Sequence, residues 1–347
     1  RRAAKPRRSP LAFAAMARVA IVGAGVMGAA TAWQLARLGH QIEIHEQFQV
    51  GHTHGSSHGR SRIVRLAYPE PEWVEFAEQA FAGWRELEAE SGARLLELYG
   101  LLELVGDPAT SSRDALEARG AKYELVDAEA ARGRWPIGVP DGWTVLFQPE
   151  AGIVRADLAW QALLDAAVSR GAKFREHSRV DALAELDADV VVVTAGPWAR
   201  RLLEPEGIDL PVRTTRETLA YFELAGPPLP SVVQLNPETR NHAMYSLHDP
   251  VHGLKAGAHH AGPETNPDEE GLPDPDLLDA ISSWVGETYR NADPKPLGAE
   301  TCVYTTTADE SFVLERHGRV VVGSACSGHG FKFAPAVGER LAALATG

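Results

Sequence analysis

The stretch from residue 18 to residue 46 constrains the fold of this chain more than any other. It opens with a short apolar run at 19–22 that is typical of a buried parallel strand. The pattern G-x-G-x-x-G follows at Gly23, Gly25 and Gly28. The first glycine permits a tight turn, the second lets the backbone approach a pyrophosphate, and the third allows close packing of a helix on a strand.

The residues after these glycines continue the pattern of a nucleotide-binding unit. Apolar residues at 29–36 recur on one helical face, and Gly39 stands in the usual position for a helix end. A second strand at 42–45 places Glu46 at its tip, where a carboxylate accepts the hydroxyls of an adenosine ribose. Because strand, helix, second strand and terminal acid occur in this order, the stretch predicts a dinucleotide-binding fold.

Length and charge limit the remaining possibilities. The chain has 347 residues, which is enough for two domains. Its formal net charge of −13 argues against nucleic acid and anionic membranes as partners, since both would repel the molecule as a whole. Two cysteines cannot form a disulfide framework, which favours a reducing compartment, and we predict a cytoplasmic protein. No apolar run is long enough to span a bilayer.

The pattern beyond residue 95 predicts that the first domain is interrupted. An apolar run at 190–193 leads into a tight turn at Gly196, which we assign to the first sheet and to the cofactor site. Alternating residues at 213–224, 242–247 and 253–258 predict an antiparallel sheet. The fold class is therefore α/β plus α+β, a discontinuous Rossmann-like domain with an inserted antiparallel-sheet substrate domain. We predict the first domain at 16–95, 150–210 and 308–347, the second at 96–149 and 211–307, and a disordered or non-native extension at 1–15.

A glycine-rich segment after the second strand holds three histidines, His52, His54 and His58. No carboxylate or cysteine accompanies them at ligand spacing, so we predict no metal site. Arg62 and Arg65 follow three residues apart, and on a helical turn they would share one face. A solvated basic face is the ordinary interpretation of such a pair, but its position near the predicted cofactor turn favours a functional role.

Three separated motifs have one explanation in common. They read GSSHGRSRIVR at 55–65, GLKAGAHH at 253–260, and TCVYTTTADESF with CSGHGFKF between 301 and 333. Together they resemble the monomeric sarcosine oxidase family of flavoenzymes, which includes N-methyltryptophan oxidase. The resemblance covers nearly the whole chain from Met16 onward, and its late motifs are more specific than the glycine pattern. It implies that the Rossmann-like domain binds FAD.

The resemblance implies how FAD is held. Cys302 matches the cysteine that in this family binds FAD covalently through a thioether, whereas a buried, inert thiol is the ordinary interpretation of a lone cysteine. Residues 328–330 form a turn whose backbone N–H groups would stabilise negative charge on the flavin. His58 matches a flavin-proximal histidine. The predicted cofactor-binding residues are Gly23, Gly25, Gly28, Glu46, His58, Arg62, Gly196, Cys302, Gly328, His329, Gly330 and Lys332.

The resemblance also implies the reacting groups. Lys255 matches a lysine near the flavin that promotes reaction with oxygen, since a fixed ammonium stabilises the negative charge that develops there. A snorkelling surface lysine is the alternative. Arg65 and Lys332 match the pair that binds the substrate carboxylate. The predicted catalytic residues are Lys255, Arg62, His259 and Tyr245, and the predicted substrate-binding residues are Arg65, Lys332, Tyr245 and Gly328.

The chain departs from the family pattern in three places. Arg60 stands where the family more often has an acid, and Ser57 replaces a histidine. The segment between Tyr245 and Lys255 is one residue shorter than in the family. These departures are compatible with a different substrate side chain, which the sequence does not identify.

We therefore predict FAD-dependent oxidation of a secondary amino acid, N-methyl or cyclic, to an imine, with oxygen reduced to hydrogen peroxide. We expect a monomer with a small-molecule substrate and with no nucleic-acid or membrane partner. Three alternatives stay open: a flavin dehydrogenase with another electron acceptor, a nicotinamide-dependent reductase, and a non-catalytic flavoprotein. Peroxide formation separates the first alternative from an oxidase, and yellow colour that stays with the denatured chain excludes the second.

Overall fold

The computed structural model describes residues 16–106, 112–235 and 242–347. The extension predicted at 1–15 lies outside these described residues. The strands, in chain order, are β1 (Arg18–Val22), β2 (Gln41–His45), β3 (Ser61–Val64), β4 (Leu96–Glu97), β5 (Leu101–Val105), β6 (Glu124–Asp127), β7 (Thr144–Gln148), β8 (Gly152–Arg155), β9 (Lys173–Arg175), β10 (Val190–Val193), β11 (Arg213–Phe222), β12 (Ser231–Leu235), β13 (His242–Asp249), β14 (Gly253–Ala258), β15 (Gly298–Thr306), β16 (Val313–His317) and β17 (Val320–Ser324). The helices are α1 (Val26–Arg37), α2 (Pro71–Ser91), α3 (Arg113–Arg119), α4 (Ala128–Arg134), α5 (Ala156–Ser169), α6 (Ala199–Leu203), α7 (Pro275–Thr288) and α8 (Ala334–Thr346). In the described part of the chain, no helix combines the length and apolar character that crossing a membrane requires.

The first sheet has six strands in the order β16-β17-β10-β1-β2-β9. Its centre is parallel, since β1 pairs with β2 on one side and with β10 on the other. Such strands are apolar on both faces because helices cover the sheet from both sides. Trp33 and Leu35 of α1 are fully buried on one side, and Leu202 and Leu203 of α6 pack on the other.

The second sheet has eight strands in the order β15-β11-β14-β13-β12-β5-β7-β6. The run from β15 to β12 is antiparallel throughout. Helix α7 covers one face, where Ile281, Trp284 and Val285 pack against apolar side chains of the strands. Val233 and Tyr245 point from the opposite face into a cavity. A third, small sheet in the order β3-β8-β4 completes the described strands.

The structure confirms the predicted fold class. The strands predicted at 19–22, 42–45 and 190–193 are β1, β2 and β10, and β10 lies in the first sheet as predicted. The predicted antiparallel strands are β11, β13 and β14. The helical turn considered for Arg62 and Arg65 is absent, because residues 61–64 form β3 and pair with β8. The exact domain boundaries stay a prediction.

Candidate active site

One cavity of about 550 Å³ is lined both by the glycine turn after β1 and by buried basic side chains. Its volume is in the range of small-molecule sites. The walls come from the first sheet, from the loop before β3, and from the face of the second sheet that α7 leaves uncovered. The predicted site residues that line the cavity are Gly23, Gly25, Glu46, His58, Arg62, Arg65, Gly196, Tyr245, Lys255, His259, Cys302, Gly328, His329, Gly330 and Lys332.

The glycine turn is shaped by close backbone contacts. A Cβ on Gly28 would lie 2.0 Å from the carbonyl oxygen of Gly23, so α1 approaches the turn more closely than any side chain allows. Gly23 has a φ of +98°, and its own Cβ would lie 2.6 Å from the carbonyl oxygen of Thr194. The N-terminus of α1 lines the cavity, which is the arrangement that binds a pyrophosphate.

Glu46 follows the last residue of β2, and its carboxylate is buried beside the turn. Oε2 accepts a hydrogen bond from the backbone N–H of Ala24 at 3.0 Å, and Oε1 accepts one from Phe48 at 3.1 Å. These bonds fix the carboxylate at the cavity wall, and each oxygen keeps a further lone pair. A buried carboxylate with spare acceptor capacity is suited to the hydroxyls of a ribose.

The loop before β3 surrounds a guanidinium with backbone carbonyls. Arg62 donates to the carbonyl oxygens of Ser56 at 3.0 Å, Ser61 at 2.9 Å and His58 at 2.5 Å. Burial, and then the charge of Arg62, lower the pKa of His58 to about 4, so this imidazole is neutral. Within the described chain its Nε2 is buried and has no hydrogen-bond partner. The loop therefore presents an unsatisfied polar atom at the cavity.

Lys255 is a buried residue of β14. A Cβ on Gly59 would lie 3.1 Å from Nη1 of Arg62 and 3.5 Å from Nζ of Lys255. The carboxylate of Glu300 is 3.7 Å from the same point, and the Tyr221 hydroxyl donates to it at 2.5 Å. Burial, and then the charge of Arg62, lower the pKa of Lys255 to about 8, while Glu300 opposes this shift. The side chain is therefore not the solvated surface lysine that was the alternative.

Arg65 and Lys332 converge on one aromatic ring. Both are buried, and their cationic groups lie 4.5 Å and 5.7 Å from the ring centre of Tyr68. Nζ of Lys332 also donates to the carbonyl oxygen of His329 at 2.6 Å. Burial, and then the charge of Arg65, hold the pKa of Lys332 well below its usual value. Two cationic groups near one ring in a buried site favour the binding of an anion.

Cys302 lies on β15, and its side chain is buried against the loop before β3. Its Sγ is 3.9 Å from the carbonyl oxygen of Ser56, and Sγ of Cys326 is 3.9 Å from Oγ of the same serine. Burial raises the pKa of the Cys302 thiol, while the charges of Arg62 and Lys255 act in the opposite direction. The reactivity of this thiol therefore depends on the neighbouring cations.

His259 and Tyr245 form part of the wall together with Tyr304. The ring centre of His259 lies 6.4 Å from that of Tyr245 and 5.7 Å from that of Tyr304. Gly328 fits beside them, because a Cβ there would lie 2.5 Å from Cε1 of His259. Burial drives the pKa of His259 well below its usual value and raises the pKa of Tyr245 to about 12. Both side chains are therefore neutral at neutral pH, and neither is a strong base.

The cavity fits the cofactor that the sequence resemblance implies. At one end, the glycine turn would hold the pyrophosphate of FAD and Glu46 would hold its ribose. At the other end, the unsatisfied Nε2 of His58 and the buried thiol of Cys302 would face the flavin ring. The fit is supported by the continuity of a single cavity between these two ends.

Several residues that shape the site are not among the predicted site residues. Tyr68 lies under two cations, Oγ of Ser57 accepts from the N–H of Val26 at 3.0 Å, and Glu300 lies near Lys255. A tyrosine three residues after Arg65 was visible in the sequence. The contacts of Ser57 and Glu300 depend on the pairing of distant segments, which no periodicity reveals.

The three histidines of the glycine-rich segment do not form a ligand group. The rings of His52 and His54 lie 5.7 Å apart, and His58 belongs to the cavity wall. Within residues 16–106, 112–235 and 242–347, one group of side chains has metal-ligand geometry. It consists of His259, His260 and Glu310.

Comparison with known proteins shows that this chain is similar to a family of oxidoreductases. The family model described as FAD dependent oxidoreductase matches residues 18–344. The peroxisomal sarcosine oxidase of Homo sapiens is 32% identical, over 92% of this chain and 90% of its own length. The monomeric sarcosine oxidase of Bacillus sp. (strain B-0618) is 31% identical, with 94% and 91% covered. Among solved structures, NikD, described as an unusual amino acid oxidase essential for nikkomycin biosynthesis, is 26% identical with a TM-score of 0.83, and the match covers 95% of this chain and 94% of that chain.

Proposed function

The chain belongs to the family of FAD-dependent oxidoreductases, and we propose that it oxidises a secondary amino acid, N-methyl or cyclic, to an imine with oxygen as electron acceptor. One observation carries the proposal: Arg65 and Lys332 come from distant segments and meet at Tyr68 inside the cavity that begins at the glycine turn. The chain has a net charge of −13, yet it places two buried cations near Tyr68, and this local positive charge is suited to bind a small anion. Two relatives are named for sarcosine, which is an N-methyl amino acid.

The carboxylate of the substrate would bind between these two cations. The planar guanidinium of Arg65 has a shape that matches a carboxylate, and the ammonium of Lys332 adds a point charge. Burial, and then the charge of Arg65, lower the pKa of Lys332. A bound anion would offset the cost of burying both cations. The amine is then directed toward the part of the cavity that His259 and Lys255 line.

The substrate amine would react in its unprotonated form. The low pKa of His259 makes its imidazole a weak base, and the raised pKa of Tyr245 keeps its phenol protonated, so neither side chain is suited to remove a proton from an ammonium group. Burial and the neighbouring cations disfavour a positive charge on the bound amine and lower its pKa. We therefore expect activity to rise with pH toward the pKa of the bound amine, and a flat profile would contradict this mechanism.

The chemistry that bound FAD would supply is two-electron oxidation: removal of a hydride equivalent from the carbon next to the amine nitrogen, with oxygen as the final acceptor of the two electrons. Lys255 stabilises the negative charge that develops on oxygen, because its ammonium is fixed where water cannot take that role. Cys302 would hold the cofactor by a thioether. We further propose a monomer in the cytoplasm, noting that one relative is named monomeric and another peroxisomal.

Paired substrates with and without a carboxylate test the proposal. We expect N-methyl and cyclic amino acids to bleach the oxidised flavin under anaerobic conditions, and to yield peroxide when air is readmitted. The matching amines without a carboxylate should react much more slowly. Hydrogen bonds to charged groups contribute about 1.5–3 kcal/mol each, so we expect kcat/KM to fall by roughly 10-fold or more.

Lys332→Met tests whether the preference for substrates with a carboxylate comes from this site. In this variant the advantage of the carboxylate should shrink, whereas Lys122→Met, which removes an exposed lysine, should keep it. If none of the N-methyl or cyclic amino acids reduces the wild-type flavin, the proposed function is refuted. Bleaching without peroxide would instead support a dehydrogenase with another electron acceptor.

A further inference from the structure

Three potential metal ligands lie together next to the active-site wall. One nitrogen each from His259 and His260 and one carboxylate oxygen of Glu310 lie within 4.8 Å of one another. Nε2 of His260 lies 3.7 Å from Oε1 of Glu310. The rings of His259 and His260 are 4.1 Å apart between centres. No part of the proposed oxidation uses His260 or Glu310.

An unsatisfied nitrogen points into this cluster. The side chain of His260 is nine-tenths buried, with 10% of it exposed, and its Nε2 has no hydrogen-bond partner among the described residues. Buried polar atoms in native proteins nearly always have a partner, either in the protein or in a bound water or ion. Among the described residues, this buried nitrogen therefore lacks a hydrogen-bond partner on the side where Glu310 lies.

The charge states of the three groups suit a cation. Burial lowers the pKa of both histidines, so each imidazole is in the neutral form that metals bind. The nearby Glu70 adds negative charge beside the Glu310 carboxylate, and this charge favours a cation there. A bound cation would satisfy the carboxylate and the unpartnered nitrogen together.

We propose that His259, His260 and Glu310 form a binding site for a divalent transition-metal cation of the Zn²⁺ class. Two imidazole nitrogens and one carboxylate oxygen are a common ligand set for Zn²⁺, whereas Mg²⁺ and Ca²⁺ require oxygen ligands. Ligand atoms about 2.0–2.1 Å from a tetrahedral metal are roughly 3.4 Å apart. His260 and Glu310 nearly meet this spacing already, and side-chain rotation would close the remainder.

The proposed metal site would lie between solvent and the wall of the active-site cavity. The side chain of Glu310 is 36% exposed, so a cation can enter from that side and keep a water as its fourth ligand. His259 lies at the other end and lines the cavity. A cation bound here would place positive charge beside the substrate amine. Inhibition of turnover by zinc is the expected consequence, and this consequence alone rests on the proposed function.

Zinc binding to the purified flavoprotein tests the site without reference to turnover. The protein is stripped with a chelator, dialysed against Zn²⁺, and analysed for bound metal. We expect one zinc per wild-type chain, and an affinity lower by roughly 100-fold or more in His260→Gln and in Glu310→Gln, since loss even of a second-shell partner costs 10- to 100-fold. Glu315→Gln is the matched control, because Glu315 forms a comparable pair with His317 at 3.1 Å on the surface.

X-ray absorption of zinc-loaded wild type supplies a second measurement that needs no variant. We expect nitrogen and oxygen neighbours at about 2.0–2.2 Å and no sulfur at about 2.3 Å. A sulfur neighbour would assign the zinc to Cys302 or Cys326 and would overturn the proposal. Absence of stoichiometric binding in the wild type, or equal binding in all three variants, would overturn it as well.

Discussion

At Lys255, a positive charge is buried within reach of two other charged side chains. Its neighbours Arg62 and Glu300 surround Gly59, whose lack of a side chain leaves room for all three groups. Because a Cβ on Gly59 would lie 3.1 Å from the guanidinium, a larger residue there would displace the cations. The position of each charge is thus set by a neighbour that is distant in sequence.

Lys255→Met tests the role of this ammonium in the reaction with oxygen. Removing one preorganised electrostatic group from an active site typically costs about 10²–10³-fold in rate, and we expect the rate of reoxidation by oxygen to fall by that amount. Anaerobic reduction by substrate should change much less, because the carboxylate binds elsewhere. Stopped-flow absorbance measures the two half-reactions separately, and unchanged reoxidation would show that Lys255 has no such role.

The pH dependence of reoxidation follows from the pKa of Lys255. This pKa is lowered to about 8, so the side chain is charged below that pH and neutral above it. We expect the rate of reoxidation to fall as pH rises through about 8, which is opposite in sign to the rise expected for amine oxidation. In Lys255→Met the fall should disappear. A decrease that persists in the variant would assign the titration to another group.

At the scale of single elements, the turn between β1 and α1 determines where the cofactor binds. The turn holds the helix N-terminus at the cavity, and the helix can approach only because Gly28 has no side chain. Elsewhere a glycine is simply a weak helix former. Gly133 in α4 is exposed, and a Cβ there would meet nothing within 4 Å.

Gly28→Ala and Gly133→Ala form a matched pair that separates these two situations. We expect Gly28→Ala to lose flavin and to destabilise the protein by about 1–3 kcal/mol, because the added methyl group overlaps backbone atoms. Gly133→Ala should retain flavin and gain about 0.5–1 kcal/mol of helix stability. Flavin content and thermal unfolding measure both effects, and full flavin occupancy in Gly28→Ala would contradict the proposed packing.

Elements with a clear hydrophobic period were predictable from the sequence. The strand at 190–193 was assigned to the right sheet because four consecutive valines suit only a strand covered on both faces. The segment with Arg62 and Arg65 was harder to predict, since two cations in a short stretch fit a helical turn as well as a strand. Pairing with β8 decides between them, and β8 lies about ninety residues away in the sequence.

At the scale of the whole molecule, an acidic protein concentrates cations in one cavity. Lys255, Arg65 and Lys332 come from a strand of the second sheet, from the end of β3 and from the turn before α8. The residues themselves were named from their motifs. Their common cavity was not predictable from composition, because it depends on the pairing of β11 with β14 and on the position of Tyr68. The cluster of His260 and Glu310 likewise has no periodic signal.

Attachment of the cofactor to Cys302 is a property of the assembled cavity and is testable on the whole chain. After denaturation and removal of small molecules, we expect the wild-type protein to stay yellow. Cys302→Ser should release its flavin on denaturation, and Cys326→Ser should keep it, because Cys326 lies beside Ser56 without a proposed role. Release from the wild type would exclude the thioether, and retention in Cys302→Ser would assign the bond to another residue.

A crystal structure of the flavin-loaded protein with a non-reacting analogue of an N-methyl amino acid tests the central claim most directly. The account predicts that the analogue's carboxylate contacts both Arg65 and Lys332, with its nitrogen side toward the flavin and Lys255 at the same end of the cavity. A carboxylate bound elsewhere, or an isoalloxazine ring remote from Cys302 and Lys255, would contradict it.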